Sequence, residues 1–539
     1  MTFKNFGKYA NCWWKYGVIY HIYVLSFKDS NGDGYGDIRG IIEKLDHIID
    51  LGITAIWLSP VFKSPMSDFG YDIDDYYSID PVFGKMRDIE ELILRCHEKN
   101  IFIIFDMVMN HTSVKHKWFT ESKKSLNSDK RDWYIWKSGK NGKPPNNWKT
   151  IYGKTAWEYD NNTDQYYYHS FLKEQPDLNW RNPEVKKEFG KIFRFWLDKG
   201  IDGFRLDAVN FIIKDIKLRE NPGLFEIILG KRKFYSRNRS SSLKLLQHFR
   251  KIINSYDNRM LIGEIFALPP GESDVVSYYM SEGDDTLNMA FDFSLLFQKW
   301  SASSYFKAII RSYISMPSKG WPSIVFSNHD LNRNISYDDQ KARIKLILML
   351  TLKGTPFIYY GEEIGMRNGI IRKNEIKDPM GKIYWPIYKG RDKARTPMQW
   401  DDSENSGFST AAPWLPINKN FENNNISDER SKKNSLFTLT KKLIKLRNSY
   451  SSLHKGDWIP LIKGEKGIIA YLRTYGTERT LVVLNFSNTN KKLMHFNKME
   501  CVLLLSTGTK KRHKLQFLKN FVIEPYEGLI FLLKKEKYY

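Results

Sequence analysis

IFIIFDMVMNH, residues Ile101 to His111, is an apolar run that ends abruptly in Asp106, Asn110 and His111. Its β-branched and aromatic content, without helical spacing, makes it a buried strand. A helix is expected just upstream, from about Asp88 to Lys99, and before it TAIWL, Thr54 to Leu58, is another strand. The loop between them carries Asp68 and Tyr71. Further back, a helical period runs from Ile38 to Leu51, after VIYHIYVLSF, Val18 to Phe27, a first strand. Strand, polar loop and helix recur in this order, which is the pattern of parallel βα units.

Downstream the rhythm breaks. From Thr112 to Pro176 the chain is rich in Trp, Tyr, Asn, Lys and Gly, with short strand-like pieces and no long helix. A simple loop of that length is improbable, so 112–176 is expected to be a small inserted domain. The βα rhythm then resumes with strands ending at Asp207, at Glu264 (MLIGEI, Met260 to Ile265), near Asn288 to Phe293, at Asp330 (SIVFSNHD) and at TPFIYYGEE, Thr355 to Glu363. Eight such units imply an α/β fold, a (β/α)₈ TIM barrel spanning 1–111 and 177–454. A helix from about Leu436 to Ser449 precedes a last region, 455–539, of short β-rich runs and turns, which reads as a C-terminal antiparallel β-sandwich domain.

In IDGFRLDAVNF, Ile201 to Phe211, Arg205 stands two residues before Asp207. Strand side chains alternate with period two, so both project from one face. Asp106, Asp207, Glu264 and Asp330 all fall at strand C-termini, where parallel barrels place functional groups. Acidic residues gathered there are costly unless they are hydrogen-bonded or act together. Arg205 is expected to keep Asp207 ionised, while apolar Ile262, Ile265 and Phe266 are expected to keep Glu264 protonated. An ionised carboxylate facing a protonated one is what retaining glycoside hydrolysis requires, with the two about 5 to 5.5 Å apart.

DSNGDGYGD, Asp29 to Asp37, alternates oxygen-bearing side chains with glycines. Asp29, Asn31 and Asp33 match the first half of an EF-hand loop, but the twelfth position is Gly40 rather than a bidentate Glu. A single-ion site closed by Asp37 and a metal-free Asx-rich turn are both compatible with this spacing.

The formal net charge of +23 would suit an anionic partner, but the lysines are spread along the whole chain and no nucleic-acid-binding motif accompanies them. Cys12, Cys96 and Cys501 are odd in number and far apart, so neither a disulfide framework nor a zinc site is indicated. The first residues lack an uninterrupted apolar segment, and no run of about 18 apolar residues occurs. The expectation is a soluble, cytoplasmic protein, monomer or homodimer, with no nucleic-acid or membrane partner.

Taken in order, DMVMNH (106–111), QPDLN (175–179), GFRLDAV (203–209), Gly263-Glu264 and SNHD (327–330) resemble the signature regions of the α-amylase family of glycoside hydrolases, in the form found in its α-glucosidase and oligo-1,6-glucosidase branch. ARTPMQW (394–400) and GFSTAAPWLP extend the likeness over nearly the whole chain. The resemblance implies that Asp207 is the nucleophile, Glu264 the general acid/base and Asp330 the transition-state stabiliser. It implies that Arg205, His111 and His329 line the same subsite, that Asp68, Tyr71 and Arg395 close the pocket around a nonreducing glucose, and that Phe171 forms an aromatic wall. It also implies a structural ion, Ca²⁺ with Mg²⁺ as the alternative, at Asp29, Asn31, Asp33, Asp37 and the carbonyl of Tyr35.

In that branch, Val after the nucleophile accompanies α-1,6 preference, and a small residue or Thr accompanies α-1,4 preference. Ala208 therefore points to a retaining exo-acting α-glucosidase that takes short α-1,4-linked substrates such as maltose, with sucrose a further candidate and with some transglucosylation. The rival readings are an oligo-1,6-glucosidase, a sucrose- or trehalose-type glucosyltransferase or isomerase, and a catalytically inactive interaction module. HIYVLSF (21–27) and LNRNISYDD (331–339) depart from the branch's usual pattern.

Overall fold

The computed structural model describes residues 12–223, 225–226, 234–265, 273–280, 285–335, 338–493, 500–510, 512–518 and 521–534. Eight parallel strands form its centre: β1 (Ile19–Ile22), β2 (Ala55–Leu58), β3 (Phe102–Met107), β4 (Gly203–Leu206), β5 (Met260–Gly263), β6 (Met289–Ala290), β7 (Ser323–Val325) and β8 (Thr355–Tyr359). Their order around the sheet is β6-β5-β4-β3-β2-β1-β8-β7. All eight expected strands are present, each shorter than its apolar run, because the chain leaves the ladder to build the loops at the barrel mouth. Between β6 and β7 a side chain completes the ring: Ser323 Oγ donates to the Ala290 carbonyl at 3.0 Å and accepts from the Asp292 N–H at 3.2 Å.

Alternation along the strands sorts the residues into two layers. Ile19, Ala55, Trp57, Phe102, Ile104, Met260 and Ile262 belong to the barrel interior, with Trp13 stacked on Phe102. Tyr20, Ile56, Leu58, Ile103, Phe105, Phe204 and Leu206 belong to the layer beneath the helices. The same alternation sends Asp106, two residues beyond Ile104, and the Arg205–Asp207 pair towards the axis.

The helices show why they lie where they do. Pro183–Asp198 begins with Pro at its first position and with the Asn182 side chain accepting from the Glu184 N–H, and it buries Val185, Phe189, Ile192, Phe193 and Trp196 along one stripe. Met86–Glu98 buries Ile89, Leu92, Ile93 and Cys96 at the same period. Asp339–Thr351 is buried nearly all round, since it packs against Leu436–Ser449 on one side and the C-terminal strands on another.

Between β3 and β4, an antiparallel sheet of Trp136–Lys137, Gln165–Tyr168 and Trp157–Asp160 stands over the mouth. After the barrel, six antiparallel strands lie in the order 457–463, 468–475, 478–485, 528–533, 500–506, 515–517. A two-stranded ladder, Lys491–Lys492 with Val522–Ile523, faces them across a core that includes Leu481, Leu493, Ile523 and Phe531. Among the described residues no helix is long and apolar enough to cross a membrane.

Candidate active site

A cavity of about 370 Å³ opens at the strand C-termini, lined by Asp68, Tyr71, His111, Phe171, Asp207, Glu264 and Asp330 among others. The backbone fixes the two central carboxylates. The Asp207 N–H donates to the Met107 carbonyl at 3.1 Å and the Glu264 N–H to the Leu206 carbonyl at 2.9 Å, so each acid continues a strand just past its ladder. The Val209 N–H donates back to the Glu264 carbonyl at 3.0 Å, strapping the turn after β4 to the end of β5. That turn requires Ala208 to adopt φ 43°, ψ 44°, a left-handed conformation that β-branched residues resist.

Arg205 lies at the base, fully buried. Its Nη1 reaches Asp106 and Asp207, both at 2.7 Å, and its Nη2 reaches Glu264 at 2.6 Å. One cation therefore serves three carboxylates. Arg205 therefore reaches Glu264 as well as Asp207 and does not by itself set the two carboxyls apart. Burial, with Asp106 and Asp330 nearby, outweighs Arg205 and raises the Asp207 carboxyl to about 7. Burial, with Asp207 and Asp330 nearby, raises Glu264 to about 7 against the same arginine. Asp106 is raised to about 6 by burial. Asp207 and Glu264 thus titrate as a pair near neutrality. Phe266, expected to help protonate Glu264, lies outside the described residues.

Asp330 lives under a different balance. Burial works to raise it, and His329, Arg391 and Arg395 pull it well below the usual carboxylate range. His329 is itself pushed down to about 3 by burial, so at neutral pH the two arginines keep Asp330 anionic. Arg391 contacts Asp68 at 2.5 Å, Asp330 at 3.3 Å and Asp378 at 2.8 Å. Arg395 donates to Asp330 at 2.9 Å and to the His329 carbonyl at 2.8 Å.

These contacts change the expected roster. Arg395 does not close the pocket; it is fully buried behind Asp330, and the closing bridge is Asp68–Arg391. Arg205 and His329 likewise lie behind the lining residues rather than in the wall. The Tyr71 hydroxyl donates to Asp106 at 3.0 Å and so accepts from His329 Nε2 at 2.6 Å, which assigns the Nε2–H tautomer. His111 Nε2 donates to the Tyr71 carbonyl at 3.0 Å, and burial pushes the imidazole down to about 4. Phe171 stands 5.1 Å, centroid to centroid, from His111. Gln175 donates to Asp68 at 3.3 Å. Sequence reading missed Arg391 and Asp378, hidden in the cation-rich stretch GRDKAR and in KDPMGK.

The loop of Asp29 to Asp37 is spent on its own backbone. Asp29 accepts from the N–H groups of Asn31, Gly32 and Gly34 and from Ser409, which fills its four acceptor positions. Asp37 caps Ile38–Glu43 and accepts from Ser30 and Gly40. Asn31 and Asp33 accept from the N–H groups of Asp33 and Tyr35. Among the described residues no three acidic, His or Cys side chains gather to hold a metal. Asp29 has no acceptor position left in this arrangement, whereas Asn31 Oδ1 and both Asp33 carboxylate oxygens each accept a single bond.

The alpha amylase catalytic-domain family matches residues 21–456. The chain belongs to the α-amylase family of glycoside hydrolases. It is an enzyme of that class, on the branch of oligo-1,6-glucosidases and α-glucosidases. The oligo-1,6-glucosidase of Parageobacillus thermoglucosidasius is 41% identical over 88% of this chain and 90% of its own length. That of Bacillus cereus is 38% identical over 97% and 99%. Among solved structures, an α-glucosyl transfer enzyme, XgtA, superposes with a TM-score of 0.89 at 33% identity, covering 97% of this chain and 99% of that one. Isomaltulose synthase of Erwinia rhapontici NX5, in complex with sucrose, gives 0.90 at 33%, covering 97% and 100%.

Proposed function

We propose a retaining, exo-acting α-glucosidase that removes one nonreducing glucose at a time from short α-glucosides. The observation that carries this reading is the pair Asp207 and Glu264, on adjacent strands, gripping the two ends of one guanidinium. A pair titrating near 7 carries a single proton at neutral pH. With that proton on Glu264, Asp207 attacks C1 while Glu264 protonates the departing oxygen. Glu264, now a carboxylate, then takes a proton from water as water displaces Asp207, and α-glucose leaves. Asp330, kept anionic by its arginines, holds sugar hydroxyls and faces the positive charge that develops at C1. The Asp68–Arg391 bridge across one side of the cavity supports exo action.

Ala208 supports α-1,4 linkage: it lines the cavity at the position where Val accompanies α-1,6 preference. The second reading, α-1,6 hydrolysis, is favoured by the names of the oligo-1,6-glucosidase relatives. Transglucosylation is supported by the transfer enzymes among the solved neighbours. Division into a barrel (1–111 and 177–454), an inserted domain (112–176) and a C-terminal domain (455–539) belongs to the same proposal. Rates on maltose, isomaltose, sucrose and trehalose under one set of conditions, with the first-formed anomer followed by NMR, test it. Release of β-glucose would overturn retention, and an isomaltose rate above that of maltose would overturn the linkage.

A further inference from the structure

The helix Asp339–Thr351 is apolar through its middle, with Ile344, Leu346, Ile347 and Leu348 all buried, yet Lys345 stands among them and is only 8% exposed. A buried ammonium is costly unless its protons are matched. Among the described residues, Lys345 Nζ is matched by carbonyls rather than by a carboxylate: it donates to the Asn334 side-chain carbonyl at 2.9 Å and to the main-chain carbonyl of the same residue. Asn334 closes the loop that carries Asp330. Its N–H donates to Ser327 Oγ at 3.0 Å and shuts the loop at its base. Asn328 Oδ1 folds the tip, accepting from the Asp330 N–H at 3.0 Å and the Leu331 N–H at 2.8 Å. Both carbonyls of the closing residue therefore converge on one ammonium.

We infer that Lys345 is a positioning residue for Asp330: by gripping Asn334 it holds the loop from Ser327 to Asn334 in the conformation that sets the Asp330 carboxylate against the charge developing at C1. This rests on the α-glucosidase reading above and adds to it a residue outside the cavity lining. The grip depends on a charge that is itself finely balanced. Burial pushes the Lys345 ammonium down to about 8. Glu362, beyond β8 and raised by burial to about 8, draws it up; Lys341 on the same helix pushes it down, and Asp338 at the helix N-cap draws it up. The Trp300 ring stands 5.8 Å away. Raising the pH therefore loosens the grip without any substitution.

Lys345→Met and Lys345→Arg separate a hold by charge from mere filling of space. On whichever of maltose and isomaltose the wild type turns over faster, Lys345→Met is expected to lower kcat at neutral pH by about tenfold with KM nearly unchanged, since a misplaced stabiliser of the transition state acts on kcat. Lys345→Arg, whose charge does not titrate, should stay within about twofold of the wild type. From about pH 7 to about pH 9.5, the ratio of wild-type to Lys345→Met kcat should fall towards one as the ammonium loses its proton, while the ratio of Lys345→Arg to Lys345→Met holds. The titration of Asp207 and Glu264 is common to all three proteins and cancels in both ratios. The ratio of wild type to Lys345→Arg gives the same test without the deletion, and should drop as pH passes about 8. A wild-type kcat in Lys345→Met, a loss that falls on KM alone, or ratios that do not change with pH overturn the inference and leave the α-glucosidase reading intact. A wild type inactive on both sugars overturns that reading itself.

Discussion

Two clusters of charge share this pocket and behave in opposite ways. Around Arg205, one guanidinium serves three carboxylates, Asp106, Asp207 and Glu264, and all three are raised. Around Arg391 and Arg395, two guanidiniums serve Asp68, Asp330 and Asp378, and Asp330 and Asp378 are held low. Burial pushes upward in both places, so the ratio of cations to carboxylates decides the outcome. The first cluster is short of positive charge and keeps a proton available. The second is sufficiently supplied and keeps a fixed negative charge. A glycosidase needs both, a few ångströms apart.

The largest effect should come from breaking the first cluster. Asp207→Asn removes the nucleophile and is expected to lower kcat by about 10⁴-fold or more; a variant retaining the wild-type rate would remove the assignment. Next comes the second cluster. Arg391→Met should lower kcat/KM by about 10²-fold, the scale of a misplaced substrate contact. Because Arg391 helps depress Asp330, its loss should also raise that carboxyl, so the stability Asp330 contributes should be lost at a higher pH than in the wild type; an unmoved acid transition would show that Arg395 suffices.

The contrast extends to stability. A carboxyl raised by folding contributes stability that is complete below its unfolded value, about 4, and is lost as pH rises through about 7. Asp207→Asn, though inactive, should therefore melt higher than the wild type at pH 8, by on the order of 1–2 °C, and show no such gain at pH 4. Asp330 has the opposite sign: its contribution is present above about 4 and is lost as pH falls through its depressed value. Asp330→Asn should lower Tm at pH 7, and thermal scans at the three pH values check all of these outcomes. The smallest effect concerns the Asp29 loop: with its carboxylates satisfied internally, chelation should leave Tm unchanged, and a rise with added Ca²⁺ would show that the loop rearranges around an ion.

How much of this was legible in the sequence depends on the range of the interaction. The eight strands were, because a strand enclosed in a barrel is written locally as an apolar run. The shared face of Arg205 and Asp207 was too, because period two needs only three residues. The protonation balance was not. It turns on Glu264 reaching the same guanidinium from the neighbouring strand, a contact between residues 59 positions apart that no local pattern records. Arg391 was obscured for another reason: it and Arg395 stand four residues apart in a cation-rich loop, and only the tertiary path of that loop decides which faces Asp68. The short strand β6 was the weakest to read, having two residues in the ladder.

The serine between β6 and β7 bears on the mechanics of the mouth. Elsewhere the barrel is hooped by backbone hydrogen bonds, which stretch together or not at all; here, among the described residues, a single hydroxyl spans the join. A hoop yields where it is thinnest. The strands on either side lead to Phe293 and Phe297 in one direction and to Asp330 and Leu331 in the other. Widening at that seam would part Phe293 and Phe297 from Asp330 and Leu331 while leaving the Asp207–Glu264 pair on the fully laddered side, so a bulkier guest would enter without retuning the acid and the nucleophile.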